Sequence, residues 1–394
     1  MKRNLVIVLI VLLALILTVF TACDKDVKGE EQTNNVDGGT AFEVLPDGIY
    51  DGIEVSDGKV CSYSGTATDV VIPKGVTGIE SNVFSDTDVT SVVIPDGVTY
   101  VDKFGSCKSL RSVTIPDSVT NIAQNAFIGC NVLEFAEYEN GKYINNHLIS
   151  VIDKSATRFK IKDGTMSIAG GVFSGCENLT SLEIPDGVKG IGSRVFENCT
   201  ALETVRIPET TIKIGNYTFD GCTSLKSVNL PEGITVIGTR MFALCENLES
   251  ITIPDTVTGI YDLAFLECRK LTSVRIPDSV NTISARAFLR CSGLEEVQFG
   301  KGVEYVGEEA FMNCALLTSV KIGESVRGIG KYAFRYCYGL ERIEIPVSVT
   351  TINSNAFEAC NNLTIYAEAT EQPSGWDVNW NYSGCPVNWG YKGE

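Results

Sequence analysis

The chain has 394 residues, 44% hydrophobic and 21% charged, enough length and apolar content to bury a large core and to exclude disorder throughout. Its 32 Lys+Arg against 49 Asp+Glu leave a formal charge of −17, the wrong sign for tracking a phosphate backbone, and a nucleic-acid reader is excluded on that ground. One histidine, His147, among 14 cysteines leaves His-based metal sites and Ser-His-Asp or Cys-His devices almost no candidates.

Lys2 and Arg3 precede an unbroken apolar run from Leu5 to Phe20, and Thr21-Ala22 lead into Cys23. The run is shorter than the about 20 residues a membrane span needs, so it predicts a cleavable export signal over residues 1–22. This ending resembles the lipobox of bacterial lipoproteins, which implies that Cys23 is lipidated and anchors the exported chain to the membrane. An uncleaved signal anchor, or a plain signal with a chance cysteine, is the alternative. Residues 23–42 are nearly free of apolar side chains and predict a flexible tether. Residues 43–70, with Cys61, predict an N-terminal cap.

From there the cysteines set a ruler. They fall at 107, 130, 176, 199, 222, 245, 268, 291, 314, 337 and 360, every gap being 23 residues except one of 46, and a phenylalanine stands three places before each. Residues 245–268, CENLESITIPDTVTGIYDLAFLEC, show the unit whole. Leu248, Ile251 and Ile253 alternate with small polar residues, the pattern of a short strand with one face buried. Pro254 then ends it, since proline has no N–H for a ladder, and nine of the 12 prolines occupy this one position (73, 95, 116, 185, 208, 231, 254, 277, 346). Val257 and Ile260 predict a second short extended piece, and Ala264-Phe265 with Cys268 a brief helical or 3₁₀ turn. Such a unit cannot bury its apolar side chains alone, so the copies must stack, giving a right-handed solenoid with parallel strands over residues 71–366 in about 12–13 coils, capped at both ends. The pattern resembles leucine-rich repeats, and its Pro-x-x-Val-x-x-Ile…Ala-Phe-x-x-Cys form is similar to the BspA-like subfamily of bacterial surface proteins. That resemblance implies a non-catalytic, cell-surface protein-binding scaffold that adheres to host or neighbouring-cell components.

Two units depart from the pattern. Residues 135–165 lose the Pro, Phe and Cys while the phase returns at Cys176, and their Asn140-Gly141 and Asn145-Asn146 pairs predict an extra hairpin. The unit from Thr87 to Cys107 is shorter than its neighbours and predicts a local kink. After Cys360 the repeat stops, and residues 367–394 hold Trp376, Trp380, Trp389 and Cys385, predicting a Trp-rich C-terminal cap, with sugar stacking on the tryptophans as the alternative.

The in-phase cysteines predict buried thiols that donate weakly to turn carbonyls, because stacked Cβ atoms about 4.8 Å apart are too far for disulfides that need about 3.8 Å. His147 reads as an exposed loop residue. No acid, base and nucleophile converge on one repeat, so an enzyme is disfavoured, and neither a cofactor nor a metal is expected. If the chain binds, the outward column two places before the prolines is the first candidate: Glu183, Arg206, Asn229, Thr252, Arg275, Gln298, Lys321 and Glu344 on the concave sheet. Two places earlier stands a Ser/Thr column that includes Ser181, Thr204 and Ser227, and a merely solvated hydroxyl face accounts for it equally well. A second candidate is the apolar stripe Ala243, Leu266, Leu289 and Met312, each following the repeat phenylalanine, which is a docking patch if exposed and core if folded under. Proteins are the expected partners, glycans the alternative.

Overall fold

The computed structural model describes residues 44–393; the expected export signal, the expected lipidation at Cys23 and the expected tether lie outside them. Every regular element among these residues is a strand of two to five residues, and the coils stack into a parallel-strand solenoid. Each coil contributes to three columns, two of strands and one of turns.

The first strand column runs through Asp69–Val71, Ser91–Val93 and Ser112–Thr114, resumes at Ser181–Glu183, Thr204–Arg206 and Ser227–Val228, and resumes again from Ser273–Arg275 to Val387–Trp389. Its members alternate exposed, buried, exposed, with Leu182, Val205 and Val274 inward. Period-two alternation is what a sheet with one solvated face requires. At the repeat proline the strand stops and a tight turn follows, the Pro116 and Pro208 carbonyls accepting from Val119 N and Thr211 N at 3.1 and 3.0 Å. The second column holds twelve two-residue strands from Gly78–Ile79 to Thr351–Ile352, each placing an isoleucine or valine in the core.

The third column corrects one expectation: it contains no helical or 3₁₀ turn. Two residues flanking Ala-Phe adopt left-handed backbone angles in nearly every coil, as at Arg194 and Asn198 (φ 60° and 58°) or Leu263 and Glu267 (φ 58° and 57°). A helical turn would aim its N–H groups back along its own chain. The left-handed residues instead turn alternate amides toward the next coil, so that Leu263, Phe265 and Glu267 N–H donate to Ala285, Ala287 and Leu289 O at 3.2, 2.7 and 2.8 Å. Backbone polar groups that would otherwise be buried without partners are satisfied between coils.

This arrangement stacks the phenylalanines. From Phe173 to Phe357 consecutive rings lie 4.9–5.8 Å apart and within 3–12° of parallel. Beyond them Trp380 lies edge-on to Phe357 at 6.0 Å, and Tyr63 lies 5.7 Å from Phe84. Around the short unit Phe84, Phe104 and Phe127 tilt by 32° and 41°, the local twist its missing residues impose. Beside the rings runs the thiol ladder, unpaired by disulfides. Cys199, Cys222, Cys245 and Cys268 Sγ each donate to the phenylalanine carbonyl of the preceding coil at 3.0–3.2 Å. Each such carbonyl also accepts the amide of its own coil's cysteine, so both lone pairs are used.

Between Cys130 and Met166 the repeat is interrupted as its sequence predicts. Ala136–Tyr138, Gly141–Ile144 and His147–Val151 form two antiparallel hairpins, and the last strand rejoins the second column in parallel at Ser167–Ile168. The coil does not lack an aromatic: Phe159 packs edge-on to Phe173 at 4.8 Å, in a phase where the repeat has leucine, isoleucine or valine. Two stacks meet here. Thr120–Gln124 of the first lie against Gly170, Gly171 and Gly190 of the second, with Gly170 N donating to Ile122 O at 2.8 Å. His147, expected in an exposed loop, is fully buried in a strand at this joint.

Candidate functional site

The first strand column sets the spacing of its outward side chains. Parallel pairing puts Ser181, Thr204 and Ser227 in one row and Glu183 and Arg206 in the next, successive strands standing about 4.8 Å apart. Glu183, Arg206, Asn229, Thr252, Arg275, Gln298 and Lys321 are exposed and Glu344 is half-buried. Ser181, Glu183, Thr204, Arg206, Ser227 and Asn229 line a shallow, open depression of about 470 Å³.

Charges in the row are paired along the ladder. Arg206 lies 3.5 Å from Glu183 and 3.3 Å from Asp186, Arg275 3.2 Å from Asp255, and Lys321 3.9 Å from Glu344. These pairs are well exposed on at least one side, so they position side chains more than they stabilise the fold. Asn229 is committed to the scaffold: its Oδ1 accepts from Ile207 N at 3.1 Å and its Nδ2 donates to Ile207 O at 2.7 Å, replacing backbone pairing where the first column is interrupted. Thr252 sits in that interruption, outside any strand.

At its C-terminal end the row gains aromatic groups that sequence reasoning missed. Arg342 lies 3.8 Å above the Tyr366 ring and 5.2 Å from Tyr391, donates to the Tyr391 hydroxyl at 2.7 Å and pairs with Glu344 at 3.0 Å. Extending the two outward columns one coil further finds Arg342 in the Ser/Thr phase and Tyr366 in the variable one.

The apolar stripe falls between its two expectations. Ala243 is fully buried, whereas Leu266, Leu289 and Met312 are half-buried on the turn column. In the preceding coil the same position holds Asp220, whose carboxylate takes Arg240 Nε and Nη2 at 2.8 and 3.1 Å; burial raises its pKa and Arg240 opposes that rise. Trp376 and Trp380 are buried, with Trp376 Nε1 donating to Val349 O at 3.0 Å, so Trp389 is the accessible ring of the three.

His147 Nε2 stands 3.1 Å from Pro116 O and Nδ1 2.8 Å from Ser167 Oγ, so the nitrogen opposite the hydroxyl meets a backbone carbonyl rather than a carboxylate. Burial pushes the Cys199 thiol up to about 12, whereas the contact with Cys107 holds the Cys130 thiol down at about 7. Among the described residues no cluster of three or more His, Cys, Asp or Glu could hold a metal ion, and no helix is long and apolar enough to cross a membrane.

The family described as BspA type leucine rich repeat region (6 copies) matches residues 58–153, 144–272 and 258–371. No curated protein matches the chain. Among solved structures, a leucine rich cell surface protein from Faecalibacterium prausnitzii A2-165 is 27% identical, over 88% of this chain and 97% of that one, with a TM-score of 0.38. A leucine-rich repeat protein from Bacteroides ovatus ATCC 8483 is 24% identical over 87% of this chain and 100% of that one, TM-score 0.35. Another from Eubacterium ventriosum ATCC 27560 is 16% identical over 88% and 95%, TM-score 0.41.

Proposed function

The chain belongs to the BspA-type leucine-rich repeat family, and from that premise we propose that it is a non-catalytic scaffold on the bacterial cell surface, held there through Cys23, that binds proteins of a host or a neighbouring cell by the outer face of its first strand column. One observation carries the reading: Glu183, Arg206, Arg275, Gln298 and Lys321 stand exposed and chemically different on strands whose inward residues barely vary. A rigid scaffold with a variable outward row supplies many fixed contacts without ordering loops on binding.

The test is binding of the purified 42–394 fragment to immobilised extracellular-matrix proteins, against a variant carrying Arg206→Glu and Arg275→Glu. Both arginines are exposed, so the variant keeps its melting temperature within the small range of surface substitutions. Loss of binding at unchanged stability supports the proposal; equal binding by both proteins moves the site off this face. The carbohydrate alternative is weakened by the burial of Trp376 and Trp380, which leaves Trp389 as the ring for a sugar to stack on.

A further inference from the structure

Where the two stacks meet, side chains take over the work that ladders do elsewhere. Three consecutive residues of the inserted hairpin bond three consecutive residues of the coil before it. Asn145 Oδ1 accepts from Ile115 N at 2.8 Å, Asn146 Nδ2 donates to Asp117 Oδ1 at 3.0 Å, and His147 Nε2 meets Pro116 O at 3.1 Å. On its other side His147 Nδ1 meets Ser167 Oγ at 2.8 Å, in the first coil of the second stack. A carbonyl oxygen only accepts, so Nε2 carries the ring proton, and Nδ1 is the bare nitrogen that accepts from the Ser167 hydroxyl. The imidazole therefore clamps both stacks in its neutral form, and it is fully buried.

We propose that His147 is a protonation-sensitive fastener between the two stacks, rigid at neutral pH and loosened in acid. Protonating Nδ1 puts a second hydrogen into the Ser167 contact, so that hydroxyl must turn away and lose its acceptor. It also creates a cation in a site shielded from water. The charged group that faces the ring is the Asp117 carboxylate of the preceding coil; the following coil offers the Ser167 hydroxyl, and the hairpin offers the Asn145 and Asn146 amides. Asp117 is already engaged by Asn146. Burial outweighs the Pro116 backbone, that carboxylate and the Ile115 backbone together, holding the imidazole below its ordinary 6.5.

The sign follows. With the closed-joint pKa depressed, the opened joint binds the proton more readily, so closure is fully favoured above about pH 6.5 and weakens as pH falls toward the depressed value. Each unit of depression changes the opening equilibrium about tenfold. The stacks themselves keep their cores, since each has its own phenylalanine column.

As the chain's one histidine, His147 can be followed without assignment by imidazole NMR from about pH 7.5 to 4.5. The expected result is an Nε2–H tautomer titrating below 6.5. A midpoint at or above 6.5, or the other tautomer, overturns the proposal. Amide hydrogen exchange, corrected for intrinsic pH dependence, reads the joint directly: Ile115, Met166 and Gly170 should exchange faster in acid while Phe265, inside the second stack, does not. His147→Gln keeps a donor for Pro116 without a titrating group and should remove the acid response. The same acid response in that variant refutes the assignment, and if the variant does not fold, the titration of the unaltered chain decides alone.

Discussion

Replacing Phe265 with alanine is the sharpest probe of what holds the solenoid together. Its ring is fully buried, 5.4 Å from Phe242 and 4.9 Å from Phe288, both within 11° of parallel. Truncating a buried phenylalanine costs about 3–5 kcal/mol, because apolar area is lost and a cavity remains. Aromatic pairs contribute about 0.5–1.5 kcal/mol each beyond area, and this ring makes two. In a solenoid each coil contacts only its neighbours, so the loss falls on two adjacent interfaces in the middle of the stack rather than on the whole molecule. Equilibrium urea unfolding followed by two probes reads this, because all three tryptophans lie between Trp376 and Trp389 and their fluorescence reports only the C-terminal end, whereas circular dichroism reports every coil. The two curves should coincide in the unaltered chain and separate in Phe265→Ala. A double-mutant cycle with Phe288→Ala should return a coupling of about 0.5–1.5 kcal/mol. Coincident curves shifted by less than about 1 kcal/mol, with no coupling, would refute the idea that the stacked rings carry the interfaces.

The thiol ladder makes a pH prediction. Burial raises Cys222, Cys245, Cys268, Cys314 and Cys337 well above their ordinary value, so the unfolded chain releases these protons first, and stability should fall above about pH 9 by roughly 1.4 kcal/mol per pH unit for each thiol. Melting temperature against pH checks it, and Cys268→Ala should flatten the fall by one thiol's share while costing stability at neutral pH. Cys268→Ser should lose less than Cys268→Ala, since a hydroxyl can keep the bond to Phe242 O now made at 3.1 Å. Ala359 is left-handed at φ 60°, so Ala359→Gly should raise stability by about 0.5–1 kcal/mol, and a loss in thermal unfolding would contradict the turn geometry. Gly190→Ala should do the reverse, because a methyl there overlaps the Thr120 carbonyl across the joint; an unchanged melting temperature would mean the stacks do not touch at that point.

Much of this architecture was legible because inward residues repeat in phase. Leu182, Val205 and Val274 alternate as strands must, the prolines punctuate them, and the cysteine period gave the repeat length without reference to any secondary structure. The turn column was misread for a physical reason. Ala-Phe-x-x-Cys suits a helical turn by local propensity, and although the left-handed positions on either side hold asparagine or glycine in some coils, as at Asn125, Asn198 and Gly221, they hold arginine, leucine, tyrosine or glutamate in others, which carry no signature of that conformation. What selects it is the neighbouring coil, whose carbonyls accept the alternate amides, and that partner is invisible in a single unit. The same gap in local information hid Phe159 and His147. Both lie in the unit that lost its markers, so their burial depends on what the hairpin covers rather than on their phase.

The outward row was legible as a row but not as a set of free groups. Asn229 looks equivalent to Arg206 or Gln298 by spacing, yet it mends the backbone at Ile207, while Arg342 and Tyr366, just past the ends of the two columns, supply an aromatic and cationic corner of that face. Substituting Asn229 should therefore cost stability before it costs recognition, whereas Arg275 and Gln298, exposed and held only by exposed partners, can change at little cost to the scaffold. This separates the two demands on a repeat protein: inward residues answer to the coil above and below, and outward residues other than Asn229 answer to whatever binds. A binding face can then change one coil at a time, because each exposed side chain has its register set by buried neighbours and contributes little to them in return.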